Sequence, residues 1–147
     1  MNEEFCSRMK EYMNSAENFN RLNRLEFTEV RPGYSECRVA LTKWSLNPQG
    51  VAHGSLVFAL CDGATGVAAA ATGRNMLTLC AGIHFLRPGT GEYLRCTAEL
   101  VKDGRTTALA CARVYDDRGR LVATGDFTVY YTGGEIELPE SGAAWGF

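Results

Sequence analysis

Residues 53–73 read HGSLVFALCDGATGVAAAATG. From Ser55 to about Thr72 the stretch is helical in character, and Gly73 supplies a C′ residue to end it. Leu56, Val57, Phe58, Leu60, Cys61, Val67 and Ala68 to Ala71 leave no polar face. A helix apolar all round is buried all round, so this one is expected at the centre of the fold. Its small residues, among them Gly63, Ala64, Gly66 and Ala68, let a sheet or a partner backbone come close. One residue breaks the pattern. Asp62 stands between Cys61 and Gly63, where a carboxylate loses hydration unless something compensates.

The flanks of this helix read as strands. Residues 25–30 and 34–41 alternate around the turn Arg31-Pro32-Gly33, and a loop from Lys43 to Val51 leads into His53. Beyond the helix, residues 76–86 place Leu77, Leu79, Ala81, Ile83 and Phe85 on one face. Residues 92–102 and 105–115 join at Asp103-Gly104, a hairpin signal. In the second of these Ala108, Ala110, Ala112 and Val114 share a face that would let a helix lie close. A last strand spans Leu121 to Tyr131. At the N-terminus, within residues 1–20, Phe5, Met9, Tyr12, Met13, Ala16 and Phe19 fall at helical spacing. The tail 133–147 is expected to be loose, with Trp145 and Phe147 able to dock. One helix, two strands, a buried helix and four strands in succession make an α+β fold: a long antiparallel sheet wrapped around one central helix, as a single domain over 1–147.

Bulk properties narrow the function. Net charge is -2, with 46% apolar and 22% charged residues, which offers no general attraction to nucleic acid or to anionic membrane. The charged N-terminus lacks a signal-peptide core, and the apolar run from Ser55 to Ala71 is too interrupted to span a bilayer. None of the six cysteines is paired as C-x-x-C or set near a histidine at metal-ligand spacing. Buried free thiols, a reducing cytoplasm and no metal are expected.

The chemistry concentrates between Asn47 and Asp62. Asp62 reads either as a catalytic carboxylate or as a structural group reaching a backbone amide or an arginine at a subunit edge. Gly54 stands where the loop meets the helix, so its N–H belongs to the unpaired first turn and suits an oxyanion. A tight turn alone would also explain a glycine there. His53 could orient the loop, contact substrate or bond to backbone. Asn47 before Pro48 is a natural turn former.

Taken together, the pattern Asn47-x-x-Gly50-x-x-His53-Gly54-Ser55, with Asp62 eight positions after Gly54, resembles the hotdog-fold thioesterases of the phenylacetate-degradation (PaaI-like) type. The strand from Thr78 through Phe85 to Arg87-Pro88 and the run Leu121 to Gly125 extend the likeness over about residues 25–131. The resemblance implies that Asp62 is the nucleophile or the general base and that the Gly54 amide polarises the thioester carbonyl. It further implies that Asn47 holds the reacting group or a water, that His53 supports the loop, and that Thr78 helps to place the water. The family's usual second glycine is Ser55 here, which alters the fit around the acyl group. Phe58, Leu79 and Phe85 could line that group, an aryl or medium alkyl chain. No cofactor is implied beyond the coenzyme A of the substrate, for whose phosphates Arg87, Lys102 and Arg105 are candidates.

Eight residues of helix separate Gly54 from Asp62 by ~12 Å. One thioester carbon cannot touch both, so the two must come from different chains, in a homodimer with antiparallel central helices or a dimer of dimers. Two other readings stay open. One is an acyl-thioester hydratase or dehydratase using His53 or His84. The other is a non-catalytic acyl-CoA-binding module, which would have no use for Asp62. A plain oligomerisation domain leaves the constellation unexplained.

Overall fold

The computed structural model describes residues 3–140 and 142–146. The central helix, α3, runs Gly54–Ala70. His53 caps it in an extended conformation, its ring nitrogen accepting from the Ser55 N–H. At the other end Gly73 turns at φ 95, a left-handed value that favours glycine. Six strands form one antiparallel sheet: β1 (Leu25–Arg31), β2 (Tyr34–Ala40), β3 (Arg74–Phe85), β4 (Tyr93–Asp103), β5 (Thr107–Asp116) and β6 (Leu121–Glu135). Their order across the sheet is β1-β2-β4-β5-β6-β3. The sheet wraps α3 as expected. Ala108, Ala110, Ala112 and Val114 are all buried, and the absence of bulk on β5 lets the helix sit close. Ser35 of β2 ties sheet to helix by donating to the Ala64 carbonyl at 2.6 Å.

The helix is not buried on every side. Ser55, Phe58 and Asp62 form an open stripe along α3, with Phe58 38% exposed. The sheet of one chain does not reach around that side.

The two edges of the sheet differ. At β1, helix α1 (Glu3–Ser15) packs alongside, and Asn14 imitates a neighbouring strand. Its Nδ2 donates to the Phe27 carbonyl and its Oδ1 accepts the Phe27 N–H, both at 2.8 Å. At β3 residues 77–82 are all exposed, and no described segment pairs with the outer side of the strand.

The strand β3 departs from simple alternation. Thr78 pairs with Val129 and Cys80 with Thr128, so Leu79 is an extra, bulged residue. The bulge switches parity. Met76, whose Cε lies 3.7 Å from where a Gly66 Cβ would stand, and Thr78 face α3 before it. Ile83 and Phe85 face α3 after it. The face expected from the sequence therefore holds at Ile83 and Phe85 but not at Leu77 or Leu79.

Three further expectations change. The N-terminal helix stops at Ser15, because Asn18 caps a separate short helix, α2 (Phe19–Leu22), leaving Phe19 exposed. The β4–β5 loop has three residues, 104–106. Gly104 is needed for close approach, since a Cβ would lie 2.5 Å from the Thr107 carbonyl oxygen. The tail is docked. β6 continues to Glu135, Ile136 is buried, and Trp145 packs on the Tyr12 ring at 5.4 Å. Phe147 lies outside the described residues. Of the cysteines, all free, four are buried, but Cys80 on the open edge is exposed and Cys111 is half-buried.

Candidate active site

The approach to α3 is built from backbone bonds. The Asn47 N–H donates to the Val51 carbonyl, and the Gly50 N–H to the Asn47 carbonyl. Asn47 Oδ1 accepts from the Gln49 and Val51 amides at 3.0 and 3.3 Å. That oxygen is committed to the loop, which leaves only Nδ2 for a reacting group. The Ala52 N–H, bonded to the Gly89 carbonyl, ties the loop to the segment after β3.

Helix geometry leaves the first amides of α3 without intrahelical partners. Here the Ser55 N–H bonds to His53 Nδ1 at 3.0 Å, and the Leu56 and Val57 N–H groups reach the His53 carbonyl. Among the described residues the Gly54 N–H has no acceptor. It is thus the one open donor of the first turn, at the positive end of a 17-residue helix. With Nδ1 accepting, any proton on a neutral His53 ring sits on Nε2.

Gly54 looks onto a hollow of about 350 Å³ whose walls include Asn47, Val57, Phe85 and Arg87. Phe85 stands closest, its Cζ 3.4 Å from where a Gly54 Cβ would be. On the other side of the helix end, His53, Ser55 and Leu56 share a second hollow of about 290 Å³ with Phe19, Leu22 and Trp44.

Asp62 lies two turns further on. Thr78 Oγ1 donates to its Oδ1 at 2.8 Å. The bulge at Leu79 makes this contact possible. In unbroken register with Ile83 and Phe85, Thr78 would face away from α3. Along the helix, Asp62 is ~12 Å from Gly54. Between them Phe58 packs its ring on Phe127, with centroids 5.4 Å apart. One chain therefore brings Asp62 and Thr78 together, and Asn47, His53, Gly54 and Ser55 together, but not the two groups to each other. Leu79 projects from the open edge, 61% exposed.

The three candidate cations separate as well. Arg87 follows β3 beside Gly54. Lys102 and Arg105 belong to the β4–β5 hairpin, at the C-terminal end of α3. There Arg74, just past the helix, bonds to the Gly104 carbonyl and pairs with Asp103. Tyr131 completes that cluster, donating to Asp103 at 2.6 Å beneath the Arg74 guanidinium. Burial, then Asp103, pushes the Tyr131 hydroxyl up to about 12. His84 sits on the β3 face opposite to Ile83 and Phe85, away from α3. No group of three or more His, Cys, Asp or Glu able to hold a metal occurs among the described residues.

Sequence reasoning missed the second hollow and the bulge. The hollow is signalled only by Phe19, Leu22 and Trp44, which are scattered through the chain. The bulge has no residue signature.

The family described as Thioesterase superfamily matches residues 49–123. The sheet-around-helix architecture is the hotdog fold. It is similar to that of the PaaI protein of the E. coli phenylacetic acid degradation operon, with TM-score 0.85 and 21% identity over 91% of this chain and 98% of that one. A hypothetical thioesterase protein of Streptococcus pneumoniae, solved with coenzyme A, is 31% identical over 76% of this chain and 90% of its own, with TM-score 0.72. Mutants of that protein, one with an aspartate replaced by alanine and one with a threonine sixteen positions later replaced by alanine, have also been solved. A Streptococcus mutans protein bound to acetyl CoA is 28% identical over 83% of this chain and 99% of its own, with TM-score 0.76.

Proposed function

Because the chain belongs to the thioesterase superfamily, we propose that it hydrolyses an acyl-CoA or aryl-CoA thioester to the free acid and CoA, at a site assembled from two copies. One observation carries this reading. A free Gly54 N–H and a carboxylate held by Thr78 stand on one helix, too far apart to serve one carbon within a chain. An antiparallel second copy laid on the open stripe of α3 sets the partner subunit's Asp62 beside Gly54. The unpaired β3 edge supports the same arrangement, since the β1 edge is already covered. The S. pneumoniae mutants support the choice of residues, because Asp62 and Thr78 have the same sixteen-residue spacing.

In this site the Gly54 N–H, backed by the α3 dipole, binds the carbonyl oxygen as it gains negative charge. Asp62 acts in one of two ways. It attacks the carbonyl carbon and expels the CoA thiolate, leaving a mixed anhydride that water cleaves. Alternatively it takes a proton from a water as that water attacks. The Thr78 hydroxyl fixes the carboxylate and helps to place the water. Asn47 offers Nδ2 and His53 offers Nε2–H on the Gly54 side. Arg87 is the CoA-phosphate contact of the same chain. Lys102 and Arg105 reach the site only from the partner, whose helix runs the other way. Phe58 lies near the two-fold axis. Among the described residues no helix is long and apolar enough to cross a membrane, and six free cysteines suit a reducing cytoplasm.

Free thiol release from a panel of acyl-CoAs tests the reading. Asp62→Asn should lower kcat at least ~10²-fold with the fold intact. Solvent label found in the Asp62 carboxylate after a single turnover in isotopically labelled water would establish the nucleophilic route, with water cleaving the anhydride at the aspartyl carbonyl. Near-normal hydrolysis by a folded Asp62→Asn protein defeats the assignment.

A further inference from the structure

Ser15 and Thr65 turn their hydroxyls back on their own helices. Ser15 Oγ donates to the Glu11 carbonyl at 2.7 Å, and Thr65 Oγ1 to the Cys61 carbonyl at 2.8 Å. Such bonds need a turn of helix in front of the residue. Ser55 is the second residue of α3 and has none. Its N–H is fixed on His53 Nδ1 at 3.0 Å, but among the described residues its hydroxyl has no partner. Asp62 is likewise half engaged. Thr78 Oγ1 holds Oδ1 at 2.8 Å, and among the described residues Oδ2 has neither a hydrogen bond nor an ion pair.

Ser55 and Asp62 are a heptad apart in sequence, which on a helix is two turns less ~20°. Both therefore point to the same side of α3, along the open stripe that Phe58 completes. They sit ~10 Å apart along it, too far to meet within one chain. A second copy changes this. The antiparallel pairing that sets the partner subunit's Asp62 level with Gly54 centres on Phe58. It leaves Ser55 only ~1.5 Å along the axis from that level, and facing the partner. Helices packed ~8–10 Å apart bring facing Cα atoms to about 3.5–5.5 Å, a gap that a serine and an aspartate span with one hydrogen bond. Phe58 does not wedge the helices apart, because its ring packs onto Phe127 of its own chain.

Resting on the two-chain thioesterase reading, we propose that Ser55 is a positioning residue whose hydroxyl donates to Oδ2 of Asp62 of the partner subunit. Thr78 and Ser55 then hold one carboxylate from the two sides of the interface. The group is aimed at a carbonyl carbon bound at the Gly54 N–H, next to Ser55. Each carboxylate oxygen keeps a lone pair for the reaction. The glycine usual at this position in the family has no hydroxyl to offer, so this contact belongs to the serine.

Two measurements test this. Ser55→Ala should lower kcat about tenfold with KM unchanged, the pattern of a group that acts on the transition state and not on bound substrate. In an Asp62→Ala background the same substitution should leave the residual turnover unchanged, whereas a serine that merely shaped the Gly54 turn would slow both. The second measurement needs no turnover. The dimer dissociation constant, from fluorescence-detected sedimentation of a dilution series, should rise at least ~10-fold in Ser55→Ala, the scale of a hydrogen bond to a charged group. Adding Ser55→Ala to Asp62→Ala should not raise it further. Independent effects of the two substitutions on kcat and on dissociation overturn the proposal and leave the thioesterase reading standing. Coupled effects on dissociation in a protein that releases no thiol from any acyl-CoA keep the Ser55 contact and sink the hydrolase. A monomeric wild type refutes both the contact and the two-chain site.

Discussion

Mixing two inactive variants discriminates a shared site from a self-contained one. The first variant is Asp62→Asn. The second is Gly54→Pro, which deletes the single open amide of the α3 first turn. The structure indicates that proline is accommodated there. Gly54 is the first helical residue, where proline is tolerated. His53 before it has ψ 136, within the range a residue preceding proline adopts. A Cβ at position 54 meets only the tip of the Phe85 ring, at 3.4 Å, an ordinary contact. Loss of one oxyanion donor lowers kcat by ~10²–10³-fold, and loss of the carboxylate by at least ~10²-fold. In an equal co-expressed mixture about half of the dimers are mixed, and each has one site of two with both groups intact, so turnover recovers to about one quarter of wild type. Steady-state thiol release before and after mixing reads this directly. Additive residual activity with no recovery, from variants that remain oligomeric, would refute the two-chain site and the ~12 Å argument beneath it.

Thr78→Val removes the 2.8 Å bond to Asp62. It should lower kcat about tenfold with KM unchanged, in line with a hydrogen bond to a charged group, and equal kinetics would leave Thr78 as strand packing. Asn14→Ala removes both bonds to Phe27 and should destabilise the protein by about 1–3 kcal/mol, read as a lower denaturant midpoint with kcat intact. At Asp116 burial raises the carboxyl, but the Arg120 amide, the Arg120 guanidinium and the Arg118 amide outweigh it and hold the group below its ordinary value. A depressed folded value makes the stabilisation present above the unfolded pKa of about 3.9 and lost as pH falls through the folded one. The stability gap between wild type and Asp116→Asn should accordingly be constant near neutrality and close below about pH 4, and a pH-independent gap in urea titrations would contradict this.

The groups most legible in the sequence are those governed by local rules. The apolar run 55–72 needs only its own composition to read as the central helix, and α3 spans Gly54–Ala70. The alanines of β5 announce a sheet that a helix approaches closely. The alternation of β3 misleads because one inserted residue, Leu79, shifts every later side chain to the other face. Whether a strand bulges depends on its pairing with β6, and pairing is a contact between distant segments. The same holds at Phe19, which fits the periodicity of α1 but follows a cap at Asn18 that restarts the helix.

By itself the sequence determined the α+β architecture, the loop that delivers a glycine to a helix start, and the ~12 Å between that glycine and the only acid of the helix. All of these follow from spacing along one element, where rise and periodicity are constant. Tertiary structure decided which face of β3 meets Asp62, which first-turn amide of α3 stays open, which edge of the sheet is covered, and where Phe19, Leu22 and Trp44 gather. Those outcomes depend on residues far apart in the chain competing for the same hydrogen bonds and the same buried surface, and a linear pattern does not record who wins.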